Sequence, residues 1–137
     1  MQYILGYTAG NDRYWQAPER SGNHHGNAKP FGKFAPIGPV IASPDVILDP
    51  RKLAIKSFLD GDMRQSSCTD DLIHDIPTII RHISRETTLL KGTVVTTGTP
   101  SGVAVFMKPP AWLEDGDVVE VEIEKIGRLR NKIVLEN

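Results

Sequence analysis

The apolar segments of this 137-residue chain are short and are separated by glycine and proline, which limits the folds that it can adopt. The chain holds 12 glycines and 10 prolines. Short β-branched or aromatic runs between such residues are typical of strands and turns, and only one segment follows a helical period. We therefore predict an α+β fold, mainly β with one principal helix. At this length one hydrophobic core is expected, so residues 1–137 are predicted to form a single domain.

Seven segments are predicted to be strands. Pro36 and Pro39 confine the second of them to a sheet edge or an irregular strand, because proline cannot donate to a ladder. Asp60-Gly61-Asp62 predicts a hairpin turn after the third strand, since Asp-Gly supplies the required positive φ. Ile126-Gly127 predicts a closing hairpin. The predicted strands are Tyr3–Ala9, Phe34–Ile41, Lys52–Leu59, Met63–Ser66, Thr93–Thr97, Val118–Glu124 and Leu129–Leu135.

The single helix is predicted from Asp75 to Ser84. Apolar residues recur there at a helical period and are expected to form one buried face. Asp75 is the expected N-cap, which places Pro77 in the first turn, where its missing N–H costs little. The residues of the expected buried face are Ile76, Ile79, Ile80 and Ile83.

Charge and composition exclude several classes of function. The net charge of −1 and the absence of charge runs indicate no nucleic-acid partner and no membrane surface. A single cysteine, Cys68, excludes an internal disulfide and suits a reducing compartment. Residues 1–6 lack the basic and apolar regions of a secretory signal. We expect a cytoplasmic protein, with the mitochondrion as the alternative.

A first polar segment follows the first predicted strand, from Gly6 to Asp12. A carboxylate at a strand end beside glycine and asparagine can reach a hard divalent cation without burying an unpaired charge. Asp12 is therefore a candidate metal ligand. From the residues alone the alternative is an ordinary turn, in which the Asn11-Asp12 pair makes an Asx hydrogen bond.

A second polar segment, Thr97-Gly98-Thr99-Pro100-Ser101-Gly102-Val103, follows the fifth predicted strand. The threonine hydroxyls and the backbone amides at Gly98 and Gly102 are donors suited to a carboxylate or an oxyanion. The alternative is a tight turn with capping threonines. The glycine spacing is not that of a phosphate-binding loop, which argues against nucleotide binding.

Gapped motifs over nearly the whole chain follow the order found in a known family. They are Gly6-Tyr7-Thr8, Asn11-Asp12, Trp15-Gln16, Lys29-Pro30-Phe31, Pro36–Pro39, Asp60–Gln65, Thr97–Val103, Lys108–Pro110, Gly116–Ile123 and Ile126–Asn131. The chain thereby resembles the C-terminal catalytic domain of the fumarylacetoacetate hydrolase (fumarylacetoacetase) family. The resemblance implies a partial domain of the family's β-roll fold.

The resemblance also implies a chemistry, namely metal-dependent hydrolysis, decarboxylation or isomerisation of 2-oxo or 1,3-dioxo acids of the acylpyruvate or oxaloacetate type. It implies Mg²⁺ or Mn²⁺ as cofactor with Asp12 as a ligand, and Lys29 beside the metal as a catalytic residue. Gln16 and Gly98 would bind the small oxo-acid substrate, and Thr99 would both bind it and act in catalysis. Family members are homodimers, so a homodimer is expected.

Two departures from the family pattern bear on activity. The family's paired Glu-x-Glu metal ligands correspond to a position before Met1, and the segment between Asp12 and Gln16 is shorter than usual. Glu120, Glu122 and Glu124 alternate along a strand, and we expect them to form a solvated face rather than to replace those ligands. The competing hypothesis is a truncated, non-catalytic remnant or an interaction subunit.

Overall fold

A computed structural model describes residues 3–12 and 35–135 of the chain. Within these ranges the protein is mainly β with one α-helix, as the sequence predicts. The elements in chain order are β1 (Tyr7–Gly10), β2 (Ile37–Ala42), β3 (Ala54–Leu59), β4 (Asp62–Cys68), α1 (Ile76–Ile83), β5 (Val118–Ile123) and β6 (Gly127–Lys132). Short 3₁₀ turns lie at Thr69–Asp71 and Ala104–Phe106. No helix in the described ranges is long and apolar enough to cross a bilayer.

The strands form two antiparallel sheets. β1 and β2 make a two-stranded sheet, so the proline-containing β2 pairs with β1 alone among the described strands, consistent with the predicted edge position. The second sheet has the order β4-β3-β5-β6, and each strand is antiparallel to its neighbours. β1 and β2 pack against the β5–β6 side of this larger sheet, which leaves β4 at the far edge.

The β3–β4 hairpin has the predicted turn and one irregularity that the sequence did not predict. Asp60 and Gly61 have φ values of 50° and 89°, as a two-residue hairpin turn of the primed type requires. Ser57 pairs with Gln65 but Phe58 pairs with Met63, so Arg64 is an extra residue in β4. Such a bulge bends a strand and redirects its side chains. Here it lies where a later loop contacts the sheet.

The core lies between the two sheets. Ala9 of β1 packs with Val121 and Leu129 of the larger sheet. A second cluster joins Ala42, Ile47, Leu53 and Ile126, and the half-buried Ile123 contacts both clusters. Ile47 is the large side chain most completely removed from solvent, with 2% of its surface exposed. The segment between β2 and β3 thus supplies core residues although it is not a strand.

The glutamates of β5 correct one prediction. The side chain of Glu120 is only 15% exposed, and its carboxylate lies 3.5 Å from Arg128 Nη1 and 3.6 Å from Arg130 Nε. Arg128 Nε also donates to Glu122 Oε2 at 2.7 Å. The expectation of a solvated face is therefore wrong for Glu120, because cross-strand arginines of β6 cover and pair its charge.

Two further predictions are wrong. Residues Thr93–Thr97 do not form a strand, because they lie against no other strand in the described structure and are mostly exposed. A turn begins the segment, in which Thr93 N donates to Leu90 O at 3.0 Å. The helix α1 forms as predicted, but its apolar face is only half-buried. No residue of the helix is fully buried.

The N-terminus of α1 has the predicted capping arrangement. Asp75 Oδ1 accepts a hydrogen bond from Thr78 N at 2.9 Å, and Pro77 lies in the first turn. The hydrogen bond from Thr78 lowers the pKa of the Asp75 carboxyl. Local chemistry therefore fixes where this helix begins.

Candidate functional site

The second polar segment is held against the edge of the larger sheet by one glutamine. Gln65 of β4 donates from Nε2 to Thr99 Oγ1 at 2.9 Å and to the Pro100 carbonyl oxygen at 2.8 Å. On its other side, Gln65 Oε1 accepts a hydrogen bond from Ser57 Oγ at 2.8 Å. A residue of a regular sheet thus fixes a loop that has no regular structure of its own.

Close backbone packing holds the same loop in place. Gly102 has a φ of 102°, and a Cβ at this position would overlap the carbonyl oxygen of Arg64 and lie 3.0 Å from Gln65 Cγ. Only glycine fits this approach without displacement. The bulge at Arg64 therefore supplies both the carbonyl under Gly102 and the glutamine under Thr99.

Gly98 lies at the exposed end of the loop. Its φ is 116°, and among the described residues no atom beyond its chain neighbours lies within 4 Å of the position that a Cβ would occupy. Thr99 is itself exposed. The described residues thus leave the Thr99 hydroxyl and the backbone around Gly98 uncovered, and their role as donors to a small molecule stays a prediction.

Arg64 carries a polar atom that the described residues do not satisfy. Its Nε is buried and has no hydrogen-bond partner within the described ranges. A buried, unsatisfied donor costs free energy unless a ligand, water or other group pairs with it. The residue that the bulge inserts thus brings both a positive charge and an unused donor to this edge of the sheet.

The first polar segment lies on the other sheet. Asn11 N donates to the Pro36 carbonyl oxygen at 3.0 Å, which extends the β1–β2 pairing and places Asp12 directly after it in an exposed position. Thr8 Oγ1 donates to the Gly38 carbonyl oxygen at 3.3 Å and supports the same strand pair. Asp12 therefore lies just after the end of β1, and its role as a metal ligand stays a prediction.

The predicted site residues are only partly covered by the structure. Gln16 and Lys29 lie outside the described residues. Asp12 follows β1 of the two-stranded sheet, whereas Thr99 is hydrogen-bonded to β4 of the larger sheet. Among the described residues no group of three histidine, cysteine or carboxylate side chains converges on a common point.

Gln65 and Ser57 are the site residues that sequence reasoning missed. Gln65 belongs to the Asp60–Gln65 motif, which marks a hairpin but does not indicate what its last residue contacts. The bulge at Arg64 precedes Gln65, and it could not be predicted from the sequence of β4. A bulge is an irregularity in the pairing of two strands, here β3 and β4, and not a property of one strand alone.

A cleft of about 320 Å³ lies elsewhere, between residues 48–51 and 75–77. It includes Asp49, whose carboxylate accepts two hydrogen bonds from the Arg51 guanidinium. These hydrogen bonds hold the pKa of Asp49 at about 2. The cleft shares no residue with either polar segment. Its arginine is paired with Asp49 and Asp75 adds a second carboxylate, so it is a weaker candidate for an anionic ligand than the Thr99 loop.

Sequence comparison places the chain beside a family of known proteins. Residues 1–134 match the family described as fumarylacetoacetate (FAA) hydrolase C-terminal. The mitochondrial oxaloacetate tautomerase fahd2 of Xenopus laevis is 39% identical over an alignment of 137 positions. The alignment covers 98% of this chain and 43% of that protein. The chain thus spans about half the length of the curated relatives that it matches.

Solved structures agree with this result. A fumarylacetoacetate hydrolase from Exiguobacterium antarcticum superposes with a TM-score of 0.90 at 38% identity, covering 98% of this chain and 48% of that one. The maleylpyruvate hydrolase of Sphingobium sp. SYK-6, solved with manganese(II) and pyruvate, superposes with a TM-score of 0.73 at 33% identity. That match covers 81% of this chain and 39% of the other.

Proposed function

Because the chain belongs to the fumarylacetoacetate hydrolase family, we propose that it acts in metal-dependent chemistry on small 2-oxo or 1,3-dioxo acids. The reaction class is tautomerisation, decarboxylation or carbon–carbon hydrolysis of oxaloacetate or acylpyruvate type substrates. Relatives named for oxaloacetate tautomerisation and maleylpyruvate hydrolysis support this class. These reactions share one demand, which is stabilisation of negative charge on an oxygen next to a carboxylate.

The observation that carries the proposal is the fixed loop around Thr99. Its hydroxyl is exposed, and Gln65 and the contact under Gly102 hold the loop in one conformation. A donor fixed in advance stabilises developing charge without reorganisation at the moment of reaction. In this role Thr99 donates to a substrate carboxylate or to the enolate oxygen, and the backbone at Gly98 lies beside the same oxygen atoms.

Asp12 is the described residue that would hold a divalent metal. Mg²⁺ commonly binds one or two carboxylates and completes its coordination with water and substrate oxygens, so the exposed carboxylate of Asp12 fits part of such a site. A bound Mg²⁺ or Mn²⁺ would supply Lewis acidity toward the oxo group. The manganese(II) in the maleylpyruvate hydrolase structure supports a divalent ion as the cofactor.

Lys29 and Gln16 are proposed from the family pattern alone. Lys29 would place a positive charge near the developing enolate, and Gln16 would orient the substrate by hydrogen bonding. Relatives named as mitochondrial favour a mitochondrial location over the cytoplasm. A homodimer remains an expectation from the family.

The proposal is tested by following the conversion of enol to keto oxaloacetate with the 137-residue chain in Mg²⁺ or Mn²⁺. We expect catalysis that depends on the metal and is lost on chelation. Thr99→Val keeps the shape of the side chain but removes its hydroxyl, and we expect kcat/KM to fall about 10- to 100-fold, the loss typical of a hydrogen bond to a charged group. Asp12→Ala should abolish the metal-dependent activity.

The matched control is Thr96→Val, which removes the hydroxyl of an exposed threonine directly before the same segment. This variant should retain full activity. A chain that neither converts oxaloacetate nor cleaves an acylpyruvate with either metal would contradict the proposal. That result would favour the competing function of a non-catalytic interaction subunit.

A further inference from the structure

One hydrogen-bonded path joins the interior of the larger sheet to the exposed loop. Ser57, which is 9% exposed, donates from Oγ to Gln65 Oε1 at 2.8 Å. Gln65 Nε2 donates to Thr99 Oγ1 at 2.9 Å and to the Pro100 carbonyl oxygen at 2.8 Å. Three side chains from β3, β4 and the loop are therefore linked in one order.

The chemistry of the partners fixes the direction of each hydrogen bond. The Pro100 carbonyl oxygen can only accept, so the amide nitrogen of Gln65 and not its oxygen must face the loop. Gln65 Oε1 then faces Ser57, whose hydroxyl has to donate. The second hydrogen of Nε2 is directed at Thr99 Oγ1, which has to accept.

This arrangement leaves the Thr99 hydroxyl with one role. Its oxygen already accepts from Gln65, so its single hydrogen is available for donation to a different partner. No acceptor for that hydrogen lies among the described residues, and Thr99 faces solvent. The hydroxyl is therefore oriented as a donor before any ligand arrives.

We propose that Gln65 is a positioning residue that sets the Thr99 hydroxyl as a donor to a negatively charged oxygen of the oxo-acid substrate. The Pro100 carbonyl sets the orientation of the Gln65 amide, because a rotated amide would place its oxygen against that carbonyl, and Ser57 holds the Oε1 end of the amide in place. The inference rests on the proposed function. Gln65 would thus contribute to the site through Thr99, without contacting the substrate itself.

Gln65→Glu tests the inference with almost no change of shape. The introduced carboxylate can only accept, so it would draw the Thr99 hydrogen toward itself and repel the Pro100 carbonyl. The quantity to be measured is the affinity of the whole chain for pyruvate in the presence of Mg²⁺. At neutral pH the variant should bind about 10-fold more weakly or worse, the factor expected when a hydrogen bond to a charged group is lost.

The pH profile separates positioning from a structural role. When the pH falls to about 4, near the ordinary pKa of a glutamate carboxyl, the introduced group gains a proton that it can donate. The ratio of variant to parent affinity should then return toward one. A packing defect that does not depend on the charge of the introduced group would leave that ratio constant, so a constant ratio would overturn the inference.

Three further variants complete the test. Ser57→Ala should weaken pyruvate binding, whereas Ser66→Ala, an exposed serine of the same hairpin, should not. Gln65→Glu combined with Thr99→Val should bind no more weakly than Thr99→Val alone, because both changes act on one interaction. Strictly additive losses would contradict the inference.

The possible negative results distinguish a wrong positioning role from a wrong proposed function. If the parent chain binds pyruvate and Gln65→Glu binds it equally well at neutral pH, the positioning role is wrong while the proposed function stands. If the parent chain does not bind pyruvate, both are wrong. If Gln65→Glu does not fold, unchanged pyruvate affinity in Ser57→Ala overturns the inference.

Discussion

Replacement of Gly102 by alanine is expected to detach the Thr99 loop from the sheet. The added Cβ would overlap the Arg64 carbonyl oxygen, which belongs to the backbone of β4 and cannot rotate away. The φ of 102° is also unfavourable for alanine, a strain of about 1–3 kcal/mol before any overlap is counted. We expect pyruvate affinity to fall at least about 10-fold, because the bonds from Gln65 to Thr99 and Pro100 are lost together.

Gly98→Ala is the matched control for this change. Gly98 has a similar φ of 116°, but no described residue beyond its chain neighbours has an atom within 4 Å of the added Cβ. The two variants therefore share the backbone strain and differ in the overlap. Crystal structures of both should show a displaced loop only in Gly102→Ala. An undisplaced loop in Gly102→Ala with full pyruvate affinity would show that the contact under Gly102 does not hold the site.

Replacement of Ile47 by alanine should cause the largest loss of stability among the core changes. Ile47 is 2% exposed and packs with Ala42, Leu53 and Ile126 between the two sheets. Removing its side chain leaves a cavity, and such changes typically lower the free energy of unfolding by about 2–5 kcal/mol. Urea denaturation followed by circular dichroism measures this loss.

Leu48→Ala is the control, since the neighbouring leucine is 85% exposed. It should change the free energy of unfolding by less than about 0.5 kcal/mol, as is usual for surface positions. Equal losses in the two variants would mean that the segment between β2 and β3 does not contribute to the core as described.

The features that the sequence predicted correctly are those that depend on neighbouring residues. The Asp60-Gly61 turn, the Asp75 cap and the closing hairpin of β5 and β6 follow from local backbone preferences and side-chain hydrogen bonds. The boundaries shifted by a few residues, as at β1, which begins at Tyr7 and not at Tyr3. Strand ends depend on where a partner strand stops, and a single sequence does not contain that information.

The features that the sequence did not predict depend on residues far apart along the chain. Thr93–Thr97 has strand-forming residues but lies against no strand in the described structure, and its loop is held instead by a side chain of β4. Glu120 was expected in solvent and is covered by arginines of β6. The bulge at Arg64 that presents Gln65 to the loop arises from pairing with β3 and leaves no periodic signal.

The candidate site likewise has a part that the sequence predicts and a part that it does not. Asp12 and Thr99 could be selected from the sequence because polar residues cluster after apolar runs and match a family pattern. The residue proposed to direct the Thr99 hydroxyl is Gln65, which hydrogen-bonds to Thr99 and to Ser57 of the paired strand, and no motif links these two strand residues to the loop. Candidate residues for the chemistry could thus be named from the sequence, and the groups that contact them could not.

The most direct test of the central claim, that an oxo acid binds at the Thr99 loop, is a chemical-shift map of the ¹⁵N-labelled chain titrated with pyruvate and Mg²⁺. Binding there should shift the backbone signals of Gly98 and Thr99, the side-chain amide of Gln65 and the backbone signal of Asp12. Shifts confined to the cleft at residues 48–51 and 75–77, or no shifts at millimolar pyruvate, would contradict the claim.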